Sequence, residues 1–386
     1  MTRWLWALWR VAVAVPAAGA WGGAPPAPRA SVGTQGMQLK PITAGPHAGK
    51  QRAEQHFTFT LGQSRYRIRY GVRVDPAQPE RAFPSEGYLG MPSPTTCNWY
   101  HGGFLSVRIN GRDIGGTKLH AGYVASTRSR ATADLVWDVA PARVRVRFVG
   151  LGGDDKLLCE IALEPKQEIQ DLRVALRCYP SFFTAWHKRD GDRKITTPAA
   201  TLDQGQKVEL PAADHWFAVY YDTVFDVARG EGAGPCAALL APEAVRTVKF
   251  HVGSYAVGTE LVCRPDARTV RLAFWDLPKT TNKAALASFR RHGARWLDEL
   301  RRLDFTPAAV RGFDPKAELA QLDRLTRAPE VRRELGKRAD AYRTRIQALA
   351  ASEGTPGILA QAELLQCLAA YRDFLWELKV AALLAD

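Results

Sequence analysis

Residues able to do chemistry gather in one stretch, Gly87 to Tyr123, which reads GYLGMPSPTTCNWYHGGFLSVRINGRDIGGTKLHAGY. It holds His101, His120, Tyr123, Asp113, the aromatic pair Trp99-Tyr100 and a high density of glycine and proline. Histidine exchanges protons near neutral pH and a carboxylate can orient its ring, so His101, His120, Tyr123 and Asp113 form the candidate catalytic set for general acid–base work. The Phe104–Asn110 strand pattern and the Asn110-Gly111 turn lie between the two histidines and can fold them towards each other. No spacing fixes their separation, and the commoner role of such a loop histidine is to hydrogen-bond a nearby carbonyl. Trp99, Tyr100, Trp186 and His187 stand in loop-like contexts and are the candidate ligand-binding platforms, because the C–H face of a sugar ring is apolar enough to rest on an aromatic. Core packing is the competing reading, strongest for the alternating Phe217, Val219 and Tyr221.

Three weaker patterns accompany these. Arg65, Arg67, Arg69 and Arg73 stripe one strand and Arg143, Arg145 and Arg147 another. If the two strands are neighbours, the stripes make a basic face for an acidic polymer held by bidentate contacts; solvated outer faces are the ordinary alternative. Asp154-Asp155, and Asp222 with Asp226, offer oxygen ligands to calcium but lack ligand spacing, and no paired CxxC occurs, so no metal site is assigned. The absence of HExxH, GxSxG, P-loop and dinucleotide patterns removes those enzyme classes, and no cofactor is assigned.

The elements that must position these groups are strands. From residue 51 to 280 the pattern is alternation with period two, punctuated by turn residues. In Arg65–Val74, Tyr66, Ile68, Tyr70, Val72 and Val74 face one way and the arginines the other. Ala133, Leu135, Trp137 and Val139 form another apolar face, and Val144, Val146 and Phe148 return from the Ala140-Pro141 turn. Lys156–Leu163 and Ile169–Cys178 read as a further pair, a hairpin turning near Pro165-Lys166 in which Cys159 and Cys178 lie too far apart to bridge. Both cysteines point into apolar faces, as small buried hydrophobes do. More than ten strands without helical crossovers predict a large antiparallel β-sandwich. After Pro278 the period becomes helical. Residues 281 to 386 read as a C-terminal helical module, with caps at Thr281 or Asn282, at Asp314-Pro315 and at Thr355-Pro356, and a break at Ala328-Pro329.

Residues 1 to 20 have a positive start, an apolar middle and the small-residue ending Ala18-Gly19-Ala20, the pattern of a secretory signal peptide cleaved after Ala20. The mature chain is then an exported protein, periplasmic, extracellular or in the cell envelope, without a transmembrane segment. Residues 21 to 50 lack a period and read as a flexible lead-in. A formal charge of +14 and a pI near 9.7 allow a polyanion partner. In an exported protein nucleic acid is a poor candidate for that partner, and an acidic polysaccharide or the cell envelope stays open.

The serial strands, such as Leu172–Pro180 (LRVALRCYP) and Asp214–Asp222 (DHWFAVYYD), followed by the helix Ala287–Leu300 (ASFRRHGARWLDEL), resemble the galactose-mutarotase-like β-supersandwich of carbohydrate-active enzymes. The resemblance covers roughly residues 54 to 303. It implies a sandwich-plus-helix architecture, but only about 85 residues follow Leu300, too few for the (α/α) toroid that carries catalysis in many of those enzymes. The His and Glu of mutarotases proper find no aligned counterpart. Three functions follow as expectations: a carbohydrate-binding or accessory protein, a mutarotase- or lyase-like enzyme, or a structural envelope protein whose C-terminal helices bind a partner.

Overall fold

The computed structural model describes residues 29–45, 47–82, 88–181, 189–307, 310, 312–350 and 357–385, without the side chains of 78–82, 116, 349 and 350. Its strands, numbered in chain order, form two antiparallel sheets. The first runs β1 (Ser31–Pro41), β2 (Gln51–Thr60), β3 (Arg65–Asp75), β5 (Tyr88–Ser93), β6 (Leu105–Ile109), β12 (Leu172–Cys178), β19 (Val257–Cys263), β18 (Val245–Val252) and β15 (Lys207–Pro211). Two short strands join its path, β4 (Gln78–Ala82) on β3 and β7 (Arg112–Asp113) on β6. The second runs β14 (Thr201–Asp203), β13 (Arg193–Thr196), β16 (Phe217–Asp222), β17 (Cys236–Leu240), β20 (Thr269–Asp276), β11 (Lys156–Pro165), β10 (Ala142–Leu151), β9 (Arg130–Asp138) and β8 (Ala121–Ser126). The protein is thus mainly β, a large antiparallel sandwich followed by helices.

Alternation explains the first sheet. Tyr66, Ile68, Tyr70, Val72 and Val74 of β3 are buried against Leu135, Trp137, Val144, Val146 and Phe148 of the second sheet, while Arg65 and Arg67 are exposed. The second sheet is buried on both faces, so β16 and β17 read as near-continuous apolar runs, while β10 and β11 carry buried charges that pair with one another or with β9. Its outer face, with Phe217, Val219, Leu239, Ala273 and Trp275, is covered by Ala285, Phe289, Leu297 and Leu300 of α1 (Asn282–Arg302). Thr281 caps α1, its hydroxyl accepting from the Ala284 amide. Asp314 caps α2 (Pro315–Leu325). The proline break separates α2 from α3 (Pro329–Ala350), and both pack with α4 (Ile358–Ala385) through Leu322, Leu335, Ile346, Tyr371 and Phe374. Ile358 and Ala362 of α4 also seat on Val136 of β9. No described helix is long and apolar enough to cross a membrane.

Several expectations are corrected. The stretch read as a lead-in contains β1, which pairs with β2 from Ser31↔Thr60 to Pro41↔Gln51. Its side chains are mostly exposed, and an edge strand without a buried face shows no period to the eye. The expected hairpin of Lys156–Leu163 with Ile169–Cys178 does not form: β11 pairs with β10 and β20 in the second sheet, and β12 with β6 and β19 in the first. The chain changes sheets between them. The two arginine stripes therefore lie on different sheets and make no common face. Arg145 and Arg147, read as outward and solvated, are buried beneath the helical module, paired to Glu160 at 2.9 Å and to Asp134 at 2.6 Å. Near the end of α4, Leu383 is 76% exposed, so the apolar face of that helix is not buried to its last turn. The Thr355-Pro356 cap lies outside the described residues.

Candidate functional site

With the outer face of the second sheet occupied by helices, the outer face of the first sheet is the broad strand surface that no described helix covers. Two adjoining depressions of about 510 and 680 Å³ lie on it and share Ala175, Leu176, His251 and Gly258. Together they form a trough of the size that small ligands or a few sugar rings occupy.

Strand register builds the trough in two rows. Arg177, Gly258, His251 and Lys207 are successive cross-strand partners over β12, β19, β18 and β15. One row along, Ser106, Ala175, Glu260, Lys249 and Glu209 are partners over β6, β12, β19, β18 and β15. Directly paired residues share a face, so both rows project outward while Leu176, Val248 and Phe250 point into the core. Ser106, Ala175 and Gly258 are small and leave the floor open. Lys249 pairs with Glu209 at 3.5 Å, and Glu260 with Arg173 at 2.9 Å.

Aromatics close one end. Tyr100 and Tyr179 meet edge to face at 4.9 Å, and Tyr179 meets Tyr255 at 4.9 Å. The Arg177 guanidinium lies 5.0 Å from the Tyr100 ring and 5.4 Å from the Tyr179 ring, within cation–π range. Burial raises the Tyr179 hydroxyl well above the ordinary tyrosine range, against the opposing pull of Arg177. Tyr255, 49% exposed, stands at the rim in the hairpin turn between β18 and β19. The His101 ring packs on Tyr100 at 5.0 Å, and its pKa is lowered first by burial and then by Arg69, whose guanidinium donates to the His101 carbonyl at 2.8 Å.

A buried anchor holds this aromatic wall in place. Trp99 is fully buried, donating its indole N–H to the Trp275 carbonyl at 2.9 Å amid Phe104, Tyr220 and Phe274. Asn98 donates to Asp276 Oδ1 at 2.7 Å and accepts from the Ser181 amide at 2.8 Å. Asp276 Oδ2 accepts from both the amide and the hydroxyl of Thr95 at 2.8 Å. Burial outweighs these donors and pushes the Asp276 carboxyl up to about 6. Gly90 is obligatory, because a Cβ there would meet the His101 carbonyl oxygen at 1.9 Å.

The candidate catalytic set is dispersed. His101 lies in the turn segment between β5 and β6 and Asp113 in β7, both at the first sheet, whereas His120 immediately precedes β8 and Tyr123 lies within it, at the edge of the second. Asp113 accepts from the Gly115 amide at 2.8 Å and so caps a turn. His120 is exposed, its amide donating to the Val136 carbonyl, and the Tyr123 hydroxyl lies 3.5 Å from Gln366 of α4. Among the platforms, Trp99 is corrected to a core residue, Tyr100 lies on the trough wall, and Trp186 and His187 lie outside the described residues. Asp155 accepts from Trp275 Nε1, Asp222 from the amides of Asp192, Val224 and Phe225, and Asp226 from those of Ala228 and Asn282. These acids serve backbone and indole donors, and no group of three or more His, Cys, Asp or Glu among the described residues is placed to hold a metal. Arg177, Lys207, His251 and Tyr255 were missed. Their one sequence signal is Tyr255 in Gly253-Ser254-Tyr255-Ala256-Val257-Gly258, an aromatic in a glycine-flanked turn between strands.

No family model and no curated protein matches the chain. Solved structures similar to it include a quadruple mutant of an alpha-N-acetylgalactosaminidase from Bifidobacterium bifidum, at 13% identity and TM-score 0.38, covering 77% of this chain and 42% of that one. They include a protein described as an aldose 1-epimerase from Klebsiella pneumoniae, at 9% identity and TM-score 0.35, covering 72% of this chain and 98% of that one. A TPR-domain containing protein from Parabacteroides distasonis matches at 10% identity and TM-score 0.34, covering 92% of this chain and 78% of that one. The chain thus spans about two fifths of the galactosaminidase. At these identities no activity and no site residue carries over.

Proposed function

We propose that this chain is an exported carbohydrate-binding or accessory protein whose site is the trough on the outer face of the first sheet. The observation that carries the reading is the trough's construction: a floor of Ser106, Ala175 and Gly258, with the exposed Tyr255 ring at one end, backed by the buried Tyr179 and by Tyr100, and polar side chains along it. An apolar ring face with a few placed hydrogen-bonding groups is what a sugar requires. A glycan array probed with the full chain and with Tyr255→Ala tests it. The wild type binds a subset of glycans, and removing the exposed ring weakens that binding roughly tenfold. An array without bound glycans contradicts the reading, as does unchanged binding by the variant.

A mutarotase- or lyase-like activity is favoured by one placement. His251 stands opposite Gly258, and Glu260 is two residues further along the same strand, so the pair are diagonal neighbours about 7–8 Å apart. A sugar in the trough would lie against both a proton-exchanging imidazole and a carboxylate. His251→Asn separates the readings: an enzyme keeps its ligand and loses turnover by about 10²- to 10⁴-fold, whereas a binder shows no turnover to lose.

A further inference from the structure

Resting on the glycan-binding reading of the trough, we propose that its ligand is a polysaccharide bearing spaced carboxylates, that is, a chain containing uronic acids. The two rows differ in how their charges are answered. In the row Ser106, Ala175, Glu260, Lys249 and Glu209, every charge is answered within the protein: Lys249 by Glu209, and Glu260 by Arg173. In the row Arg177, Gly258, His251 and Lys207 there is no carboxylate, and among the described residues neither Arg177 nor Lys207 is paired to one. All three side chains are exposed, so the row keeps its hydration until a ligand replaces it.

The row crosses three strand spacings, about 14 Å from Arg177 to Lys207. That reach exceeds one sugar ring and suits anionic groups carried at intervals along a chain. The planar Arg177 fork matches a carboxylate in bidentate fashion, Lys207 supplies a point charge, and His251 between them offers a ring N–H. Gly258 lies beneath with nothing within 4 Å of where a Cβ would stand, so a chain can settle against the backbone.

Charge density selects among anionic chains. Glu209 and Glu260 flank the row one register step away, and a heavily sulfated chain or a nucleic acid would bring negative groups against them, at a cost in like-charge contact. A uronate chain carries a single carboxylate per acidic ring, fewer anionic groups than a heavily sulfated chain, and unlike a phosphodiester backbone it has ring hydroxyls to lay along the Glu260 row.

Isothermal titration calorimetry of the full chain tests this with oligogalacturonate and oligoalginate, each beside its neutral methyl ester, and with a heparin fragment and single-stranded DNA. At least one carboxylated oligosaccharide is expected to bind about tenfold more tightly than its ester. Lys207→Gln, an exposed change, should weaken the acidic ligand about fivefold and narrow its preference over the ester by a similar factor. Arg177→Gln should do the same, with melting temperature as the check on folding. Esters bound as tightly as acids would overturn the inference and leave the glycan reading standing. Tighter binding of the heparin fragment or DNA would also overturn it. Failure of all glycans, acidic and neutral, would remove the reading beneath it.

Discussion

Adjacent residues at the trough wall have opposite roles. Trp99 is buried among Phe104, Tyr220 and Phe274, whereas Tyr100 reaches the outer face. Trp99→Ala should cost about 3–5 kcal/mol in chemical denaturation, because it opens a cavity among these rings and removes the indole's hydrogen bond to the Trp275 carbonyl. Tyr255→Ala should leave stability within about 0.5 kcal/mol, since an exposed ring leaves no cavity. Asp276 gives a pH signature. Its carboxyl is raised from the ordinary aspartate value of 3.8 to about 6, so the folded chain holds a proton that the unfolded chain releases, and stability falls as pH rises from 3.8 through 6. The span amounts to about 3 kcal/mol. Glu54 acts in the opposite sense and in a lower window. Its partner His56 and then Lys40 draw it down to about 2 despite burial, so its contribution is lost only as pH falls below about 4.5. Denaturation midpoints of wild type and Asp276→Asn from pH 5 to 7 should therefore diverge, the variant losing the downward slope; parallel curves would contradict the assignment.

Among the elements, β10 shows where sequence reading reaches its limit. Alternation correctly identified Val144, Val146 and Phe148 as one buried face, and β3 was legible to the residue. The opposite face of β10 was misread because arginine is ordinarily solvated. Whether a strand's second face is covered depends on helices 150 or more residues away, which no local pattern encodes. The same non-locality hid the change of sheets between β11 and β12 and hid the trough, whose rows assemble residues from five strands. Helix starts were legible because their caps are local: Thr281 and Asp314 both serve as expected. Arg147 ties β10 to the segment after α1, pairing with Asp134 and donating to the Phe305 carbonyl at 3.0 Å. Arg147→Met strands a buried carboxylate and should cost about 3–5 kcal/mol. The double change with Asp134→Leu should recover much of that loss, and a double variant as unstable as the single would show that the pair does more than satisfy itself.

For the whole molecule, the helical module covers one sheet and leaves the other open. That asymmetry locates a site without reference to any motif. Export is a separate matter: intact mass of protein recovered outside the cytoplasm should correspond to a start at Trp21, and a mass retaining residues 1 to 20 would contradict cleavage after Ala20. The trough is tested most directly by filling it from beneath. Gly258 lies within β19 and a Cβ added there would meet nothing within 4 Å, so Gly258→Trp places an indole on the floor without disturbing the core. This variant should melt within about 2 °C of wild type, a shift under about 1 kcal/mol, and lose glycan binding on the array. Glycan binding at wild-type strength with the trough filled would contradict the assignment of the trough as the site.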